Sequence, residues 1–378
     1  IMNKTMIYIA IAFTILFGSC IEKTAGEEPP AEQELALLWS YSYSNESVSL
    51  SLVSGAPTII DNDKVLIFPD GNLTMLEIET GKANWKYPLP DGSPIVSNKI
   101  TYDGQSIYVK HDKLSQGVIL NKTNGTERAS FDSGDKIFFD FINDSFSENE
   151  LYLIGKDRNV LVFTKHGVFV KELTFDHKIT SATYHNGSLI TTHSYRNGTE
   201  QGTIGEIHSY DLSSDTLNWK YETDNGSYLY APIIIENDII YAGTTSGPSE
   251  FVALGATDGE LIWRKPDLQA WSYTLEKEAI YINDGSSIVA ISKQNGRQLW
   301  QTFIPGRGHG ESNIAYLNGY LYHSHSGAFF VFDAETGAIL HQTVLPDGSN
   351  SRNVSAGFDK VFVQSDYHLY AYEGWEAE

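Results

Sequence analysis

FFVFDAETGAIL, residues 329–340, runs four mostly apolar residues into Asp-Ala-Glu-Thr-Gly and then resumes its apolar pattern. Read alone it is a β-hairpin, with a tight turn at Thr336-Gly337. Glycine adopts positive φ there without steric cost, and the Asp and Thr side chains satisfy nearby backbone groups. The stretch has echoes. NLTMLEIETGKANW (72–85), GVILNKTNGTERASF (117–131), NVLVFTKHGVFVKEL (159–173), IHSYDLSSDTLNW (207–219), FVALGATDGELIW (251–263) and IVAISKQNGRQLW (288–300) put the same turn at Gly81, Gly125, Gly167, Asp215, Gly259 and Gly296. The steps are roughly 37 to 48 residues, a period that marks a repeat architecture.

Upstream of most turns lies a second alternating run broken by Asn, Asp or Gly, as in PTIIDNDKVLIFPDG (57–71), APIIIENDIIYAG (231–243) and SNIAYLNGYLYHSHSG (312–327). Each unit therefore holds about four short strands joined by tight turns. Such units repeated radially make a β-propeller, because a lone blade cannot bury both its faces and a ring of blades can. Seven units are complete. NVSAGFDKVFVQSDYHLYAYEG (353–374) supplies three strands of an eighth, and ELALLWSYS (34–42), with Trp39 where other units end in Trp85, Trp219, Trp263 and Trp300, supplies the fourth. The expected fold is all-β: an eight-bladed β-propeller of four-stranded blades over 34–378, its ring closed by the N-terminal strand. A pair of β-sandwiches explains the strands but not the recurring Gly turn followed by Trp.

The formal net charge of −22 argues against a nucleic-acid backbone as partner, which needs clustered Lys and Arg. The single cysteine, Cys20, forbids an intramolecular disulfide and Cys-rich metal sites. Its place is informative. NKTMIYIAIAFTILFGSC (3–20) has Lys4, a short apolar run from Met6 to Phe17, then Gly18 and Ser19 before Cys20. This resembles a bacterial lipoprotein signal, although Phe17 stands where Leu is usual. The resemblance implies cleavage before Cys20 and lipid attachment to it. Residues 1–20 are then the signal and 21–33 a polar tether.

The pattern Leu-x-Ala-x-Asp-x-x-Thr-Gly-x-x-x-Trp, best kept at 76–85, 253–263, 290–300 and 331–340, resembles the PQQ-type (quinoprotein-like) repeat. Size and lipoprotein signal together resemble the BamB-type outer-membrane assembly lipoproteins. That resemblance implies a scaffold without catalysis or cofactor, monomeric, held to the membrane by lipid on Cys20 and contacting the barrel-assembly machinery through propeller loops. It implies an outer membrane facing the periplasm, with the cell surface as the alternative. The other reading is a PQQ-dependent dehydrogenase or other ligand-binding propeller. Many such enzymes carry a vicinal disulfide over the cofactor, which one cysteine cannot form.

Binding residues are expected on the face opposite the Thr-Gly turns, where loops vary. Tyr230, Trp271, Arg307 and Arg352 precede or begin inner strands, and aromatic and Arg side chains are the usual interface anchors. They form the candidate partner surface, with the long loops 41–56 and 194–206 beside it. His309 in IPGRGHGES (304–312) and His323 and His325 in HSHSG (323–327) border one blade. They are a candidate metal or pH-sensitive site, or simply loop histidines. No nucleophile elbow, phosphate loop or His-Glu-x-x-His occurs, so no catalytic residue is assigned.

Overall fold

The computed structural model describes residues 34–376 apart from 44–55, 62, 69–70, 90–99, 111–114, 135–137, 148, 156–157, 197–202, 224–227, 230, 246–248, 307–311 and 326. The described residues form 32 strands. They make eight four-stranded antiparallel blades, over 58–88, 100–132, 138–174, 179–222, 234–266, 272–303, 314–344 and 351–373, the last completed by Leu37–Ser42. A single parallel pairing, Asn143 with Thr183, links the inner strands of blades 3 and 4. Leu37–Ser42 runs antiparallel to the strand His368–Glu373, with Ser40 opposite Tyr370. The expected N-terminal closure is therefore present.

Burial follows position in the blade. Phe329, Phe330, Val331 and Phe332, on the third strand of blade 7, are all fully buried, because both faces of that strand meet a neighbouring blade. The outer strand Ile339–Val344 alternates between half-buried and exposed. Apolar clusters fill the seams. Leu73 and Met75 pack with Ile107 and Val109 between blades 1 and 2. Val65, Ile67 and Leu76 pack with Phe362, Leu369 and Ala371 between blades 1 and 8. A pair of sandwiches would bury one face of each sheet; here each blade is buried on both.

The repeat tryptophan joins one blade to the next. The indole Nε1–H of Trp39, Trp85, Trp219, Trp263 and Trp300 donates to the carbonyl of Ile78, Lys122, Ala256, Lys293 and Ala334, respectively, at 2.8–3.2 Å. Each acceptor lies three residues before the next blade's turn glycine. The ring lies flat on that glycine: a Cβ at Gly81, Gly125, Gly259, Gly296 or Gly337 would come within 2.4–2.6 Å of indole carbons. These glycines also have φ between 65° and 76°. The residue is thus required twice, for backbone conformation and for the approach of the ring.

Three blades lack this Trp. In blade 3 the equivalent residue is Lys171, whose Nζ donates to the carbonyl of Leu212 at 3.5 Å and pairs with Asp215 at 3.1 Å. Asp215 stands at the turn position itself, with φ 54°. The ammonium replaces the indole N–H on the equivalent carbonyl, and the carboxylate replaces the glycine. In blade 7 it is His341, whose ring meets Trp375, from beyond the last strand, at 5.5 Å. In blade 2 it is Ala129. There the following turn is tighter: the Gly167 N–H reaches back three residues to Thr164, whereas Gly81 reaches back four to Glu77.

Trp263 is 8% exposed. Trp263→Ala is expected to cost about 3–5 kcal/mol, as for a large aromatic removed from a packed site. Gly296→Ala is expected to be destabilising through both φ and the clash with Trp263. In the double variant the clash is gone, so urea melts should show less destabilisation than the sum of the singles. Strict additivity would show that the ring does not rest on this glycine.

Candidate functional site

Antiparallel blades sort their connections. The turns from first to second and third to fourth strands lie at one end. The connections from second to third strand, and from each outer strand to the next blade, lie at the other. The second end carries the residues singled out in the sequence. Tyr230, Arg307 and His309 lie outside the described residues, as do 44–55 and 197–202 of the long loops.

Trp271 directly precedes the inner strand Ser272–Leu275 of blade 6. Its backbone N–H donates to the Asn283 carbonyl at 3.0 Å. The residue is half-buried, and its indole nitrogen is buried with no partner among the described residues. Arg352 is the second residue of the inner strand Ser351–Gly357 of blade 8. Its Nε donates to Asp366 at 2.7 Å, so part of its donor set already serves the blade.

His323 and His325 close the strand Tyr320–His325 and are not loop residues. They alternate onto one side of the strand with Leu321, which packs against Tyr281 and Ile288 of blade 6. Both are buried, His323 completely, and their rings lie 6.1 Å apart. His323 Nδ1 is 3.1 Å from the Asn313 carbonyl, an acceptor that requires the proton on Nδ1. Nε2 is then a bare lone pair, buried and without a partner among the described residues. Burial first, then the His325 ring, pushes the His323 pKa down to about 4. Among the described residues no group of three or more His, Cys, Asp or Glu is arranged to hold a metal ion.

A second polar cluster, absent from the sequence expectations, lies where blade 4 faces blade 3 at the same end. His193 and Glu206 are cross-strand partners, as are Thr191 and His208. His208 donates from Nε2 to Glu206 at 3.0 Å and meets the Tyr210 hydroxyl through Nδ1 at 3.0 Å. Lys220 donates to the other Glu206 oxygen at 3.2 Å. His193 is fully buried, bonded to Thr191 Oγ1 at 2.8 Å and to the His177 carbonyl at 3.2 Å. Its ring lies 4.3 Å from that of His208, and His177 stacks on Tyr195 at 3.5 Å. Burial, with His208 adding to it, pushes His193 down to about 3. Burial also lowers His208 against the pull of Glu206. Glu206 is held low by Lys220 and His208 although burial opposes this. The ring nitrogens of His193 and His208 all have partners, so the cluster is a closed network that ties blade 4 to the connection entering it from blade 3. The sequence carried its signal in Thr191-x-His193-x-Tyr195 and Glu206-x-His208-x-Tyr210, two period-two polar runs on neighbouring strands.

Comparison with known proteins places this architecture. The family model described as outer membrane protein assembly factor BamB matches residues 115–376. No curated protein sequence matches the chain. The crystal structure of BamB from Moraxella catarrhalis is similar, with a TM-score of 0.66 at 12% identity, covering 92% of this chain and 99% of that one. A computationally designed protein, Ika8, reaches 0.64 at 13% identity, covering 90% and 99%. Quinohemoprotein alcohol dehydrogenase from Comamonas testosteroni also reaches 0.64, at 10% identity, covering 91% and 77%. At these identities the structural likeness is one of fold.

The buried histidines set a pH dependence. An unfolded chain protonates them near pH 6.5, whereas the folded protein holds His323 neutral down to about pH 4. Stability is therefore complete above pH 6.5 and lost as pH falls toward 4, by on the order of 3 kcal/mol for His323 alone. Carboxylates also begin to titrate toward the acid end of that window, so the comparison with a variant isolates the ring. The melting temperature should fall between pH 7 and pH 4.5, and fall less in His323→Gln. An equal fall in the variant would mean that this ring protonates freely in the native state.

Proposed function

The chain belongs to the outer membrane protein assembly factor BamB family, and from that premise we propose that it acts as a non-catalytic, lipid-anchored propeller scaffold in the cell envelope. The observation that carries this reading is the family match over residues 115–376, which runs from blade 2 to the end of blade 8. Membership supports an envelope location. Lipid on Cys20 would hold the ring to the membrane through residues 21–33, in an outer membrane facing the periplasm. Several acyl chains give stable anchoring where one gives only marginal binding.

The structure supports a binding role for the end that carries Trp271 and Arg352. The opposite end is committed to the ring at most of its seams: its turns hold the tryptophans and the Lys171–Asp215 pair. At the binding end a half-buried aromatic ring and a partly exposed guanidinium stand at the start of inner strands. Such side chains suit a protein partner. Likeness to a dehydrogenase at 10% identity extends to the fold, and fold alone does not bring its chemistry.

Two measurements test the reading. Metabolic labelling with a radioactive fatty acid should mark the wild-type chain and leave Cys20→Ala unlabelled; equal labelling would place the lipid elsewhere. Cross-linked pull-down from native membranes, with a C-terminal tag, should recover a stoichiometric envelope protein. Trp271→Ala should reduce that recovery several-fold. Recovery of no partner by the wild type would overturn the scaffold.

A further inference from the structure

Five of the seams in this ring are locked by an indole, and two of the remaining three have a substitute. Lys171 and Asp215 serve between blades 3 and 4, and His341 with Trp375 between blades 7 and 8. Between blades 2 and 3 the indole position is Ala129, and a cleft of about 620 Å³ opens there. That volume is within the range of about 300–1,000 Å³ typical of ligand sites. Ala129 and its cross-strand partner Ile119 line it with apolar surface. The acceptor that an indole would use, the Lys165 carbonyl, instead takes the Tyr108 hydroxyl at 3.2 Å, from a strand nearer the channel. Tyr108 thus closes the inner wall and leaves the outer part of the seam open.

The charge of this cleft runs against that of the molecule. In a chain of net charge −22, the cleft is lined by Arg128 and Lys165, with Asp103 as the opposing carboxylate. Asp103 is already engaged: its oxygens accept from the Gln105 and Ser106 N–H groups at 2.8 Å and from Tyr108 at 3.0 Å. Arg128 uses one N–H on Ser106 at 3.0 Å, of the five that a guanidinium carries. The net positive rim favours a carboxylate beside the apolar floor.

We propose that the cleft between blades 2 and 3 receives an aromatic side chain of a partner polypeptide with an acidic group beside it. The partner ring takes the place that the chain's own tryptophan takes at five of the other seams. This deepens the scaffold reading and rests on it for the partner, whereas the cleft's own chemistry can be tested without one.

The probe is N-acetyl-L-tryptophan, which carries both an indole and a carboxylate, titrated into the full chain with alanine and isoleucine methyl groups ¹³C-labelled. Saturable shifts are expected at Ala129 and Ile119 in the millimolar range. N-acetyl-tryptophanamide, which lacks the carboxylate, should bind several-fold more weakly. Ala129→Trp should abolish the shifts and raise the melting temperature by filling the seam. If that variant does not fold, Arg128→Glu should weaken the acid probe and spare the amide. Absence of shifts at Ala129 in the wild type, or equal binding of the two probes, overturns the proposal. In the membrane pull-down, loss of the partner from Ala129→Trp supports the cleft. Retention there with loss from Trp271→Ala overturns the cleft and leaves the scaffold standing. A wild type with no partner overturns the scaffold, and the probe titration still decides the cleft's chemistry.

Discussion

The ring is organised by one contact, an indole laid on a glycine of the next blade. It combines three requirements in one place. The glycine must have positive φ to turn the hairpin, must lack a Cβ to admit the ring, and must lie three residues beyond a carbonyl that accepts the indole N–H. Any one of these tolerates substitution elsewhere in a protein. Together they tie the turn of each blade to the outer strand of its neighbour, which is why Thr-Gly and Trp recur in step. The seams behind this contact are filled by ordinary apolar packing, aliphatic and aromatic, that many sequences would satisfy.

This explains how far the sequence could be read. The turns, the Trp spacing and the split last blade are local patterns or repeat at a fixed period, so blade number and closure were legible without coordinates. The exceptions were not. Lys171 and Asp215 are 44 residues apart and look like two unrelated departures from the motif until they meet as a pair. In sequence His323 and His325 go with the loop that follows them, because histidine and serine in alternation look like solvent-facing residues. The strand in fact continues, and burial between blades 6 and 7 decides their chemistry. The His193–His208–Glu206 network is hidden for the same reason: polar residues at period two look like an exposed face, and these line a seam.

The two ends of the molecule divide their tasks. One end serves at most seams to hold blade to blade, through indoles, the Lys171–Asp215 pair, and ion pairs such as Lys122 with Asp61 at 2.8 Å, and opens at the seam between blades 2 and 3. The other end carries connections of unequal length over a base that the buried polar networks keep in place. Such division lets the connections vary without loosening the ring, which suits a surface that must match another protein.

The strand that completes the last blade is the first part of the propeller to leave the ribosome. Leu37 pairs with Tyr372, so the earliest-made segment must wait for almost the latest before its ladder can form. Until then the outer edge of blade 8 is unsatisfied and the ring is an open arc. Closure thus reports that translation of the whole propeller has finished. A chain cut short anywhere within it would lack the strands that hold its own beginning, and would present sheet edges to the proteases that clear incomplete products.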